Sequence, residues 1–88
     1  MADPRDVSVS KLLSKIVCAL VDRPEFVVIK THAAEEGLSF SIDVHPDDTG
    51  KIIGGQGRNA KSLRIIVSAV GQKLHRRCVL VIDEGNLG

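Results

Sequence analysis

Eighty-eight residues, 43% of them hydrophobic, are enough for one small core, and a single domain spanning residues 1–88 is expected. Charged residues make up 26% and the net charge is +1, which argues against both disorder and a simple polycation. Two Phe, no Tyr and no Trp leave almost no rings for a base-stacking platform, and so short a chain has little room for converging catalytic groups.

The first predicted element is an amphipathic helix over about residues 8–22. Val9, Leu12, Leu13, Ile16, Val17, Leu20 and Val21 recur at the spacing of one apolar helix face. Asp6, Ser8 and Ser10 are candidate N-caps, and Pro24 ends the helix before it. Phe26-Val27-Val28-Ile29-Lys30-Thr31 is rich in β-branched residues and predicts a strand. After a turn at Ala34-Glu35-Glu36-Gly37, Leu38, Phe40, Ile42 and Val44 alternate with polar residues. That period of two predicts a half-buried strand paired with the first as an antiparallel hairpin.

Pro46 opens a short helical turn, with Asp47 and Asp48 suited to a helix N-terminus. Gly54-Gly55-Gln56-Gly57 interrupts it, and a second long helix follows. Ala60, Leu63, Val67, Val70 and Leu74 form its core face, with Arg58, Lys61, Ser68 and Gln72 roughly opposite. Cys78-Val79-Leu80-Val81-Ile82 predicts a short buried strand, and 84–88 a frayed tail. The expected fold class is α+β, in the order α-β-β-α-α-β, with a three-stranded sheet packed against three helices and a core over about residues 24–83.

Charge is unevenly spread along this chain. Residues 1–50 sum to −4, residues 51–77 to +7 with no acidic residue, and residues 78–88 to −2. The basic block favours a polyanionic partner, although a solvated helix face would also carry Lys and Arg. Cys18 and Cys78 sit singly in apolar runs, and His32, His45 and His75 are scattered, so no metal, cofactor or disulfide is expected. The opening residues carry no signal-peptide core and the longest apolar run, Ile16 to Val21, is six residues. No membrane segment and a cytoplasmic location are the corresponding expectations.

The most informative segment is Lys51-Ile52-Ile53-Gly54-Gly55-Gln56-Gly57-Arg58. It places three glycines where a helix begins. Glycine lets a sugar–phosphate backbone approach closely, and the first N–H groups of the helix are unpartnered donors at the positive end of its dipole. Lys51 and Arg58 flank this anion-binding slot, with Lys61 one turn further on.

Ile53-Gly54-Gly55-Gln56-Gly57 resembles the I-G-x-x-G signature of the KH domain, and the element order resembles the type II arrangement of that fold. Over about residues 7–83 the chain is similar to the small bacterial single-KH proteins of the KhpA group. Asp48-Thr49-Gly50-Lys51-Ile52-Ile53-Gly54 and Gln56-Gly57-Arg58-Asn59-Ala60-Lys61-Ser62-Leu63-Arg64 carry most of the likeness. The resemblance implies an RNA-binding protein, an RNA chaperone or post-transcriptional regulator linked to cell elongation and division. Its loop would clamp the backbone of about four unpaired nucleotides.

On that resemblance the RNA-contacting set is Lys51, Ile52, Ile53, Gly54, Gly55, Gln56, Gly57, Arg58, Lys61 and Arg64. Ile52 and Ile53, with apolar residues of the adjoining helix and second strand, would floor the groove. Implied partners are single-stranded RNA, a second copy of the chain, and a larger KhpB-like protein with its own KH domain. One departure is clear: such loops commonly carry Lys or Arg at a central position, where this one has Gly55 and Gln56.

Three rival readings remain. A loose dinucleotide pattern, Gly55-Gln56-Gly57-Arg58-Asn59-Ala60, follows a helical turn instead of a strand. A P-loop would need glycine where Ala60 stands. A protein-interaction adaptor with weak RNA binding of its own is the alternative function. No nucleophile–base pair can be assembled, so an enzyme is not expected.

Overall fold

Val9, Leu13, Val17 and Val21 recur every four residues and form one buried line along and just past helix α1, Pro4–Leu20. The computed structural model describes residues 4–83, so the tail expected at 84–88 lies outside the described residues. Because α1 begins at Pro4, the cap candidates Asp6, Ser8 and Ser10 lie within the helix. Leu12, read as a core residue, is 47% exposed. It sits at the margin of the apolar face, which Leu13 and Ile16 occupy.

Pro24 does more than stop α1. It starts a 3₁₀ turn, Pro24–Phe26, in which the N–H of Val27 donates to the Pro24 carbonyl at 3.1 Å. Phe26 is thereby used in the turn, and strand β1 runs over Val28–Ala34, later than its β-branched residues suggest. It pairs antiparallel with β2, Gly37–Asp43, with Ala34 opposite Gly37 across a two-residue connection. The expected hairpin is present, with its strands shifted toward the turn.

Strand β2 alternates as its sequence does: Leu38, Phe40 and Ile42 are buried, and the residues between them are not. The third strand, β3, Arg77–Ile82, lies parallel to β2, which is therefore the central strand. Parallel neighbours need a long crossover. Here it is made of the 3₁₀ turn Pro46–Asp48, helix α2 (Thr49–Ile53), a second 3₁₀ turn at Gly55–Gly57, and helix α3 (Arg58–Leu74).

The register stacks Leu38 beside Cys78, Phe40 beside Leu80 and Ile42 beside Ile82. These residues, with Ile52 of α2 and Ala60, Leu63 and Val67 of α3, close one core against α1. Phe40 is wholly buried at its centre, and sequestering a side chain of that size contributes about 1.5–3 kcal/mol. The last strand was expected to be buried throughout. Instead Val79 and Val81 are exposed, because the helices cover one face of the sheet and leave the other open. No helix among the described residues is long and apolar enough to cross a membrane.

Candidate nucleic-acid interface

Helix α2 is only five residues long and ends at Gly54, whose φ of 77° and ψ of 168° lie in a region that only glycine occupies readily. A Cβ there would also meet Asn59, 2.8 Å away. The loop then turns through Gln56, at φ 58°, and Gly57, at φ 74°. A non-glycine residue in the left-handed region costs roughly 1–2 kcal/mol, so Gln56 stores strain at the tip. The loop is braced by bonds from the Gly54 N–H to the Gly50 carbonyl (2.8 Å) and from the Gly57 N–H to the Gly54 carbonyl (3.0 Å). Asn59 adds a third brace, its Nδ2 donating to the Lys51 carbonyl at 2.8 Å.

Gly57 is the N-cap of the 17-residue α3, with no side-chain cap bond. The opening donors of a helix of nearly five turns therefore face the loop side, where an anion is favoured. Gly55, Gln56, Arg58 and Asn59 line a shallow depression at this point. Arg58, Lys61 and Arg64 are all exposed. Lys61, Arg64, Ser68 and Gln72 follow at spacings of three and four, as one row along the helix.

That row leads into a larger groove of about 750 Å³ between α3 and β3, lined by Arg64, Ser68, Gln72, His75, Arg76, Arg77, Val79 and Leu80 among others. Its far end is fixed by the way α3 stops. His75 adopts φ 57°, its N–H donates to the Gln72 carbonyl (3.2 Å), and the Arg76 N–H reaches the Gly71 carbonyl (3.0 Å). This pair of bonds is a Schellman closure. It turns the chain directly into β3 and sets Arg76 and Arg77 at the mouth of the groove.

Two of the expected site residues occupy different settings from those their positions suggest. Ile52 is completely buried in the core, so it anchors α2 and presents no surface. Ile53 is half-buried beside the loop. The apolar residues of β2 are likewise under the helices, and the strand residues that line the groove beside α3 come from β3.

Lys51 is held in ion pairs, its Nζ 3.1 Å from Asp48 Oδ1 and 3.2 Å from Asp22 Oδ2. Asp48 is wholly buried and also accepts the N–H groups of Asp22 (3.3 Å) and Arg23 (3.0 Å). Asp48 was expected to favour a helix start; it clamps the end of α1 to α2. The cap of that first turn is His45, whose Nδ1 accepts the Asp47 N–H at 3.1 Å. The charge of Lys51 is thus shared with two carboxylates, and the cations beside the loop lie on its α3 side.

Burial alone would raise the Asp48 pKa, but the Lys51 ammonium and the two backbone N–H groups outweigh it and lower the value. The Asp48 and Asp22 carboxylates in turn raise that of Lys51. A lowered carboxylate contributes stability above its ordinary range, and this is lost as pH falls through the folded-state value. A raised ammonium contributes below its ordinary range, and this is lost as pH rises through its folded-state value. The clamp is therefore at full strength across the neutral range. Thermal unfolding followed against pH should show a midpoint that falls on the acid side, with a smaller acid-side fall in Asp48→Asn. An identical acid limb in that variant would remove Asp48 as its source.

Residues 10–82 match the KhpA/KhpB KH domain family. The chain is 47% identical over 73 residues to the RNA-binding protein KhpA of Halalkalibacterium halodurans, covering 82% of this chain and 96% of that one. It is 42% identical over 74 residues to the RNA-binding protein KhpA of Listeria monocytogenes, covering 84% and 97%. The corresponding protein of Streptomyces coelicolor is 38% identical over 71 residues, covering 81% and 90%. No solved structure matches the chain significantly.

Proposed function

The chain belongs to the KhpA/KhpB KH domain family, and on that premise we propose that it binds single-stranded RNA in the cytoplasm, as a chaperone or post-transcriptional regulator and without chemistry on the RNA. The geometry at the start of α3 carries this assignment: a strained glycine loop opens at the N-terminus of a long helix, beside a row of cations. The phosphates of the bound strand lie against Gly54–Gly57, where backbone can approach backbone. Arg58, Lys61 and Arg64 neutralise them from the helix. Bases lie along the α3–β3 groove, where Ser68 and Gln72 offer hydrogen bonds and Val79 and Leu80 an aliphatic wall. Arg76 and Arg77 meet the strand at the far end.

This mode of binding uses no aromatic stack, in keeping with a chain that has two Phe and no Tyr or Trp. It requires unpaired bases, whose edges are free to be read. Binding of a labelled single-stranded RNA, measured against its duplex across a salt series, is the test. Affinity should fall steeply with salt, by about 0.7 in log K per unit log salt for each phosphate neutralised, and the duplex should compete poorly. Salt-insensitive binding, or equal binding of the duplex, would overturn the assignment.

The chain also associates with a second copy of itself or with a larger KhpB-like protein, which gives two grooves and a gain in avidity. Ile65 and Ile66 support this: they are 62% and 42% exposed on α3 and line no part of the groove, and Ile66 points away from the groove row. Sedimentation of Ile66→Arg should then show a lighter species than the wild type at equal concentration. Wild-type behaviour in that variant would move the interface elsewhere.

A further inference from the structure

We infer that Asn59 is a positioning residue for the phosphate-facing loop, fastening the end of α2 to the start of α3 so that the loop is held ready before RNA arrives. The inference rests on the RNA-binding function proposed above. Asn59 Nδ2 donates to the Lys51 carbonyl at 2.8 Å, across a separation of eight residues that contains the whole loop. The last carbonyls of any helix lack partners inside it. Left open, this one would turn its negative end toward the same region that receives phosphate. The same side chain also walls in Gly54: a Cβ on that glycine would lie 2.8 Å from Asn59 Cγ. The donor and the steric wall together hold a segment that carries Gln56 at φ 58°.

The chemistry asks for a neutral donor. An aspartate at position 59 would face the Lys51 carbonyl with a carboxylate and add negative charge beside the phosphates. The need is greater in this chain than in a loop with a central Lys or Arg. With Gly55 and Gln56 at the tip, no side-chain cation there draws the strand in, and affinity depends more on a loop that does not have to be ordered on binding.

The test uses the full chain and a fluorescently labelled, randomised single-stranded RNA. Asn59→Ala should weaken binding by about fivefold to tenfold, the usual worth of one such hydrogen bond, with the melting point close to wild type. In the free protein, amide exchange at Gly54–Gly57 should quicken while the amides of β2 keep their rates. Asn59→Gln, which retains the donor, should recover part of the affinity.

Unchanged loop exchange, equal quickening of loop and core amides, or unchanged affinity with a loosened loop would each overturn the inference. If Asn59→Ala melts too low to assay, Asn59→Gln decides: affinity near wild type supports the fastening role, and affinity far below it overturns it. A control with Gly55→Asp and Gln56→Asp separates this from the function itself. If that control binds RNA as the wild type does, the RNA-binding site has been misassigned, while the exchange data still decide whether Asn59 fastens the loop.

Discussion

Gly37→Ala is expected to destabilise the chain by at least about 3 kcal/mol, whereas Gly55→Ala should leave it as stable as the wild type or slightly more so. Gly37 is where the three strands converge, opposite Ala34 of β1 and beside Arg77 of β3. Its φ is 148°, and an added Cβ would sit 2.0 Å from the Arg77 carbonyl oxygen and 2.9 Å from the carbonyl carbon. These are backbone atoms of the neighbouring strand, so no side chain can swing aside. Relief requires opening the β2–β3 ladder where β3 begins.

At Gly55, by contrast, nothing lies within 4 Å of an added Cβ and φ is ordinary. Alanine there mainly reduces the freedom of the unfolded chain, an effect of about 0.4–1 kcal/mol in favour of folding. In a domain of this size each kcal/mol moves the melting point by about 4–8 °C, so Gly37→Ala should melt at least about 12 °C below the wild type. Circular dichroism melts of the two variants make the comparison. A Gly37→Ala chain that melts within a few degrees of wild type would mean the strands do not meet there as closely as described.

The contrast between these two glycines also marks what can be read from the sequence. The alternation of Leu38, Phe40 and Ile42 is a local signal and appears intact in β2. The helical period of α3 is equally local, and its buried residues Ala60, Leu63 and Val67 are among those it predicts. What depends on pairing across the chain is not written in any one window. The parallel placement of β3 beside β2 decides that Val79 and Val81 are exposed and that Gly37 can carry no side chain.

The candidate site divides along the same line. The glycine loop and the cations of α3 are legible, because the loop residues are contiguous and the cations share a helical row. The fate of Lys51 is not, because it is decided by Asp22, 29 positions earlier in the chain. Asp48 looks like a helix-start residue by its place after Pro46. It is buried because the turn carrying it folds under the end of α1, where two backbone N–H groups need an acceptor. Asn59 was contained in the family-like stretch, yet only the distance from its side chain to the Lys51 carbonyl separates it from its neighbours.

Reversing the electrostatics of the loop tip should have the largest effect on binding. With Gly55→Asp and Gln56→Asp, two carboxylates would stand where phosphate approaches. At a separation of about 4 Å, one such repulsion amounts to about 4 kcal/mol in the effective dielectric of a protein surface, equivalent to roughly a thousandfold in affinity. Binding should vanish from a filter assay. The fold should survive, since Gly55 has open space and Gln56 already occupies a left-handed conformation that Asp tolerates better than most residues.

Gly55→Lys makes the opposite change at the same open position. It supplies the cation the tip lacks, so affinity should rise and the salt dependence should steepen by about 0.7 in log–log slope, one further phosphate neutralised. The two variants constrain each other. Loss in the acidic variant alone would be compatible with any local damage, but gain in the lysine variant with a steeper salt slope requires phosphate at the loop. If the acidic variant binds normally while neutralising Arg76 and Arg77 abolishes binding, the strand is held at the far end of the α3–β3 groove and not at the glycine loop.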